Sequence, residues 1–252
     1  MARRAVVAIL AVAAVGAAVM LLRNGGESDR RETTPRRPPP RALSPPPGQG
    51  AAGAQRGPLT ARLLRPVLLR ESPGGRRVRV LGTRTGYGSP RVLAVVARRG
   101  DWLGVLSHHL PNSRAGWIPA RGALLLHQPY KLDVDRSSRT LVVRRDGRVR
   151  RRMTVAVGRR GNRTPTGRFA VTDLLLIDRS GGPYGCCALA LTGRQPNVPQ
   201  GWSGGDRLAI HGTSNDGSIG GAVSGGCMRA RERDMRWLLA RVPLGAIVRV
   251  RS

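Results

Sequence analysis

Short apolar runs broken by glycine and proline fill the chain between residues 59 and 126. The runs are ARLLRPVLLRE, RRVRVLG, RVLAVVARRGDWLGVL and AGWIPARGALLL. Each is long enough for only one or two strands, and the residues between them favour tight turns. The pattern predicts a small β module over residues 59–126.

The pattern of residues 127–252 predicts a second β domain with one main helix. Leu141–Val143 and Val149–Val157 flank an Asp-Gly pair at Asp146, which is typical of an antiparallel hairpin. Further strand signals are RFAV after a TPTG turn, RLAI, and AIVRV near the end. The helix is predicted over Ala230–Val242, where apolar residues recur at helical spacing and a proline follows.

Two segments with a different composition precede these domains. Residues 1–23 begin with MARR and continue into eighteen apolar residues, Ala5–Leu22, which suffice for a helix rising about 1.5 Å per residue to cross a bilayer. An uncleaved membrane anchor, with the rest of the chain outside the cytoplasm, is favoured over a cleaved signal peptide, which would leave the protein secreted to the cell wall. Residues 24–58 contain RRPPP and SPPPG and are predicted to form a disordered linker.

The chain is strongly basic, with 44 Lys and Arg residues against 14 Asp and Glu residues and a formal net charge of +30. Such a charge favours an anionic partner. Nucleic acid is disfavoured because only eight aromatic residues could stack on bases and the basic residues are spread along the chain. Anionic wall polymers are a partner that the charge would suit.

His211 and Cys227 lie sixteen residues apart in the glycine-rich segment HGTSNDGSIGGAVSGGCMR. This combination indicates a thiol nucleophile with its base. The helix predicted after Cys227 would also stabilise a thiolate. A buried structural cysteine is the alternative, but an unpaired thiol on an exported chain is a liability unless it has a role.

Four segments, taken in order, resemble the L,D-transpeptidase catalytic domain, also called the YkuD family. They are VAVG at Val155, TPTGRF at Thr164, the segment His211–Arg229, and a helix followed by AIVRV. The chain departs from the commonest family form at Gly225, where the family has histidine. The resemblance implies a β-sandwich-like catalytic domain over residues 127–252.

The module at residues 59–126 resembles a bacterial SH3-like barrel. The resemblance rests on Trp102, which comes directly after an RRGD turn, and on the later segment NSRAGWIP at residues 112–119. The predicted fold class is therefore mainly β: a small SH3-like β-barrel, then a β-sandwich-like domain with one main helix. A scaffold that orients the second domain and a module that binds the wall are both open as roles for the first.

The family resemblance implies a role for each motif position. Cys227 would be the nucleophile and His211 the general base, with only the backbone of Gly212 available to orient the imidazole. The backbone amides of Gly226 and Cys227 are the candidate donors for the oxyanion of the tetrahedral intermediate.

Substrate contacts are predicted for Ser224, Arg229 and Tyr184. The first two are motif positions, and Arg229 would either hold the turn or pair with a substrate carboxylate. Tyr184 belongs to GGPYGCCALALTG, which is expected to be a loop over the active site. Cys186 and Cys187 in that loop are expected to be one core residue and one partly exposed residue, because adjacent cysteines rarely bridge each other without strain.

No metal and no other cofactor is expected. His108, His109 and His127 are interpreted as exposed loop histidines, because no cysteine or carboxylate cluster accompanies them at ligand spacing. Cys186 and Cys187 together with His211 match no common zinc pattern.

The resemblance implies a cysteine acyltransferase acting on peptidoglycan stem peptides. The enzyme would attack the carbonyl of the third residue of a tetrapeptide, release D-alanine, and form a 3-3 cross-link with an acceptor amine. An L,D-carboxypeptidase, in which water resolves the same acyl-enzyme, and a non-catalytic wall-binding protein are the alternatives.

Overall fold

β-strands form most of the structure. The computed structural model describes residues 41–43, 58–177, 182–198 and 205–252. The elements in chain order are β1 (Arg41–Ala42), β2 (Leu59–Leu63), β3 (Val67–Arg70), β4 (Arg77–Leu81), β5 (Val92–Arg99), β6 (Trp102–Leu106), β7 (Ala115–Pro119), β8 (Ala123–His127), β9 (Tyr130–Asp135), β10 (Thr140–Arg145), β11 (Arg148–Thr154), β12 (Val157–Gly158), β13 (Gly167–Leu176), β14 (Cys187–Arg194), β15 (Arg207–His211), β16 (Ala222–Ser224), β17 (Met228–Arg229), α1 (Glu232–Arg241) and β18 (Ile247–Arg251).

Strands β2 to β8 form an antiparallel sheet in the order β4-β3-β7-β6-β5-β2-β8. Many apolar residues of these runs are buried in one core, whose largest fully buried members are Leu69, Leu81, Leu103 and Ile118. The prediction of short strands joined by tight turns is confirmed for this part of the chain. That these strands resemble an SH3-like barrel stays a prediction.

The second half of the chain forms a mixed sheet in the order β11-β10-β9-β18-β13-β14-β15-β17, with β1 also paired to β13. Its core contains Phe169, Leu189 and Leu208 from the strands together with Met235 and Leu238 from α1. The helix packs against β14. The mainly β fold class with one main helix is confirmed for the described residues.

The hairpin predicted from Asp146 and Gly147 is present as β10 and β11. Both turn residues have positive φ, 51° and 77°, which is the backbone of a type I′ turn and explains the Asp-Gly pair. The other strand signals are confirmed too, although RFAV extends into β13, which reaches Leu176.

The helix predicted over Ala230–Val242 is confirmed, with its start two residues later than predicted. Met228 and Arg229 form β17, which pairs in parallel with β15, so this stretch is extended. The helix begins only at Glu232, and it ends at Arg241 with Pro243 shortly beyond. Cys227 therefore precedes a strand, and no helix N-terminus stabilises its thiolate.

The two sheets pack directly on one another. Ala94 and Leu106 from the first sheet are buried together with Ala170 from the second. The side chain of Asn112 both donates to the carbonyl and accepts from the amide of Arg194, at 2.7 and 2.8 Å. These contacts fix the orientation of the first sheet against β13 and β14.

The predicted linker, residues 24–58, lies largely outside the described residues, as does the predicted anchor, residues 1–23. Arg41 and Ala42 are described, and they form a short strand beside Leu175 and Leu176 of β13. That end of β13 lies beyond its pairing with β18 and has an edge free for another strand. No helix in the described ranges has both the length and the apolar character needed to cross a membrane.

Candidate active site

His211 occupies the last position of β15 and is almost completely buried. Its Nδ1 atom lies 2.6 Å from the carbonyl oxygen of Gly212. A carbonyl can only accept, so Nδ1 carries the proton, and in the neutral imidazole Nε2 keeps its lone pair. The histidine is thus held in the tautomer that a general base acting through Nε2 requires.

Tyr184 packs against this imidazole. The two rings meet edge to face with their centroids 4.8 Å apart. Gly185 brings the tyrosine close, because its φ of +59° suits glycine and a Cβ at this position would overlap the backbone of Gly212 and Thr213. Tyr184 therefore helps to fix the His211 ring.

Cys227 lies immediately before β17 and is partly exposed. Because Ile210 pairs with Met228, Cys227 adjoins the strand position two residues before His211. The thiol donates to the carbonyl oxygen of Arg207, with Sγ 3.7 Å from it. The parallel pairing of β15 with β17 thus places the predicted nucleophile and the predicted base on adjoining segments of chain.

Both groups are uncharged at neutral pH. Burial raises the pKa of the Cys227 thiol, opposed by a backbone hydrogen bond and by the charge of Arg229. Burial also lowers the pKa of His211 to about 4; the hydrogen bond to Gly212 opposes this shift and Arg229 adds to it. The resting pair is a thiol and a neutral imidazole rather than a thiolate and an imidazolium.

Ser224 is buried and holds the turn that precedes the cysteine. Its hydroxyl donates to the carbonyl of Cys227 at 2.5 Å and accepts from the amide of Gly226 at 3.0 Å. Both hydrogen bonds lie within the turn, so Ser224 positions the turn, while its substrate contact stays a prediction. The amide of Gly226 is occupied as well, which leaves the amide of Cys227 as the remaining candidate donor to an oxyanion.

Two residues that the sequence reasoning did not single out complete the turn. Thr164 donates its hydroxyl to the carbonyl of Gly226 at 2.8 Å and accepts from the amide of Gly158 at 2.9 Å. Gln195 lies against Gly226, whose φ is +129°, so a Cβ there would overlap the glutamine amide. Thr164 belongs to the TPTGRF segment, so a signal for it existed; nothing in the sequence singled out Gln195.

Arg229 follows β17's first residue and pairs in register with His211. Its Nε is buried and has no hydrogen-bond partner among the described residues. The two roles considered for Arg229, holding the turn and pairing with a substrate carboxylate, both stay predictions.

Cys186 and Cys187 are bonded to each other in a disulfide, and Cys227 is the free cysteine. Both are buried, which differs from the expected pair of one core and one partly exposed residue. The apolar run CALAL does not form a loop: it opens β14, which is buried on both faces. In the described ranges no cluster of three His, Cys, Asp or Glu side chains could hold a metal ion.

Comparison with known proteins gives a consistent family. The L,D-transpeptidase catalytic domain, YkuD, matches residues 129–250. A protein provisionally named L,D-transpeptidase YkuD, from Bacillus subtilis strain 168, is 34% identical over 125 residues, which cover 48% of this chain and 66% of the relative. A second protein of that strain, provisionally named L,D-transpeptidase YqjB, is 31% identical over 129 residues, which cover 48% of this chain and 69% of the relative.

The similarity does not extend over the full length of these relatives: the chain spans slightly less than two thirds of YkuD. Among solved structures, an L,D-transpeptidase from Mycobacterium tuberculosis H37Rv is similar with 15% identity and a TM-score of 0.44, covering 84% of this chain and 98% of that one.

Proposed function

Since the chain belongs to the L,D-transpeptidase catalytic-domain family YkuD, we propose that it forms 3-3 cross-links in peptidoglycan through a thioester on Cys227. One observation carries the proposal: the pairing of β15 with β17 sets Cys227 beside the strand that ends in His211. The hydrogen bond from Nδ1 of His211 to Gly212 supports it, because it directs the basic Nε2 away from the backbone.

In the proposed reaction the Cys227 sulfur attacks the carbonyl carbon of the third stem-peptide residue. The thiol exchanges the Arg207 carbonyl for Nε2 of His211, which takes the proton as the S–C bond forms. When the tetrahedral intermediate collapses, the C–N bond breaks and His211 returns the proton to the amine of the leaving D-alanine. An acceptor amine then attacks the thioester, and the sulfur leaves and is protonated again.

Because Cys227 and His211 are both neutral at rest, their protonation states decide when the thiol proton moves during the attack. A thiol with a raised pKa is a weak nucleophile at pH 7, so the proton must move during the attack and not before it. Arg229, whose Nε has no partner in the described chain, would bind a carboxylate of the stem peptide. The proposed place of action is outside the cytoplasm, at the membrane through residues 1–23.

A carbapenem, a β-lactam class that acylates the cysteine of this family, tests the nucleophile. The purified full-length protein is expected to gain the mass of one carbapenem, and peptide mapping is expected to find it on Cys227. Cys227→Ala should abolish the adduct, whereas the matched variant Cys186→Ser/Cys187→Ser should keep it. A folded wild-type protein without an adduct, or an adduct that survives Cys227→Ala, would contradict the proposal.

The products formed from a tetrapeptide fragment then distinguish transfer from hydrolysis. Transfer predicts a cross-linked product whose yield rises with the concentration of an added amine acceptor, at the expense of the free tripeptide. A free tripeptide as the sole product at every acceptor concentration would instead identify a carboxypeptidase.

A further inference from the structure

A small cavity lies between the two sheets. It has a volume of about 130 Å³, well above the roughly 10–15 Å³ that one water needs on the same measure. The first sheet and the loop before β5 supply one wall, and β13, β14 and β15 supply the other. We propose that this cavity binds a small monocarboxylate anion through Arg91 and Arg207.

The charges that line the cavity do not cancel. Arg91 and Arg207 each contribute one positive charge, and Asp173 contributes one negative charge. Asp173 accepts a hydrogen bond from Thr85, and its charge raises the pKa of both arginines although no ion pair within 4 Å joins them in the described chain. The excess of one positive charge in a largely buried space is what one bound monoanion would neutralise.

Both guanidinium groups are already oriented by the protein. Nε and Nη2 of Arg91 donate to the backbone carbonyls of Gly82 and Arg84, each at 2.7 Å. Nε and Nη2 of Arg207 donate to a carbonyl of β14 and to the hydroxyl of Thr172, each at 2.9 Å. In each case Nη1 has no hydrogen bond in the described structure, so each arginine keeps donors for a carboxylate without first giving up a protein contact.

The pKa values of two histidines beside the cavity reflect the same positive charges. His108 lines the cavity, and its ring lies against that of His109 with the centroids 4.0 Å apart and the ring planes tilted by 44°. Burial lowers their pKa values to about 3 and about 4, and nearby arginines, including Arg91 and Arg207, lower them further. Both are half-buried and neutral, so neither adds a charge to the cavity at pH 7. The expectation of exposed loop histidines was wrong for both, and also for His127, which is the partly buried last residue of β8.

The remaining wall selects the kind of anion. Val92, Leu93 and Leu106 present apolar side chains to the cavity. A carboxylate with a short alkyl group can place its charge against the arginines and its carbon against these residues, whereas phosphate would face them with polar oxygens. Charge balance also favours a monoanion over a dianion.

Propionate and its uncharged isostere propionamide test the proposal directly. Calorimetric titration of the full-length protein at constant ionic strength is expected to show one saturable propionate site and at least tenfold weaker binding of propionamide. Arg91→Gln and Arg207→Gln should each weaken propionate binding about tenfold or more, because each removes a charge-assisted hydrogen bond. Arg152→Gln, on an exposed position of β11, is the matched control and should leave the affinity unchanged.

Asp173→Asn keeps an oxygen for the Thr85 hydroxyl and removes the opposing charge. It is expected to tighten propionate binding several-fold, a gain that misfolding cannot imitate. Equal affinities for propionate and propionamide, a loss of affinity in Arg152→Gln as large as in the cavity variants, or an unchanged affinity in Asp173→Asn would overturn the proposal. None of these outcomes depends on acylation of Cys227.

Discussion

Burial keeps Cys227 and His211 uncharged at the candidate active site, and Arg229 affects the pKa of both residues. Its guanidinium lowers the pKa of His211 and of Cys227, in addition to the larger effect of burial on each. A lower pKa keeps His211 in its basic form at acidic pH. A lower pKa also moderates the rise that burial imposes on the thiol. Arg229 can thus matter for proton transfer even before any substrate binds.

The substitution Arg229→Gln is expected to shift the acid limb of the acylation rate to higher pH. The limb reflects protonation of His211 near pH 4, and loss of the neighbouring positive charge raises that pKa. The second-order rate of carbapenem acylation, measured between about pH 3 and 9, gives the midpoint of the limb. Arg229→Lys keeps the charge and should keep the limb in place. An unchanged limb in Arg229→Gln, or one at lower pH, would show that this charge does not act on His211.

At the scale of elements, α1 is tied to the sheet by one acidic residue of its first turn. Asp234 is buried and accepts hydrogen bonds from Nε and Nη2 of Arg151 on β11, at 3.1 and 2.5 Å. Arg151 also lies over the ring of Trp237. Glu232, in the same turn, pairs with Arg236 at the surface of the helix.

Asp234→Ala is expected to lower the free energy of unfolding by about 1–3 kcal/mol, because it removes charge-assisted hydrogen bonds from a partly buried arginine. Glu232→Ala is the matched control; its ion pair is exposed and should contribute less than about 1 kcal/mol. Chemical denaturation of both variants measures the difference. Equal losses in the two variants would mean that burial of Asp234 adds nothing to the pair.

Local signals in the sequence predicted the elements whose geometry is decided locally. Asp146 and Gly147 adopt the positive φ values that an Asp-Gly pair favours, so the hairpin could be read from two residues. Met228 and Arg229 could not be read in this way. They are extended because they pair with Ile210 and His211, which are distant in sequence, and that pairing overrides the local preference for helix.

The same distinction applies to the candidate site. Cys227 and His211 could be identified from their residue types and from the family resemblance. The hydrogen bonds of Thr164 and Ser224 around Gly226 depend on how segments distant in sequence meet. The local sequence does not indicate that Ser224 is buried or that Gln195 contacts Gly226. Burial likewise decides the protonation states, and burial is a property of the assembled sheet.

At the scale of the described chain, the two sheets meet at a junction where burial keeps histidines neutral. His108 and His109 lie in that junction, and His211 lies at the end of β15 in the second sheet. Their pKa values in the folded protein are about 3, about 4 and about 4, lowered first by burial. Their ordinary value is about 6.5. Protonation of any of them would therefore oppose the packing around it.

The free energy of unfolding is expected to fall as the pH decreases from about 6.5 towards 4. In this window the unfolded chain binds protons on these histidines while the folded chain does not, so acid favours the unfolded state. The contribution is complete above about pH 6.5 and is lost as the pH falls towards the folded pKa values.

Chemical denaturation at a series of pH values, in the wild type and in His108→Gln/His109→Gln, measures the effect as the difference between the two slopes. The double variant should show a shallower dependence on pH. Parallel curves for the wild type and the double variant would show that the junction histidines are free to protonate in the folded protein.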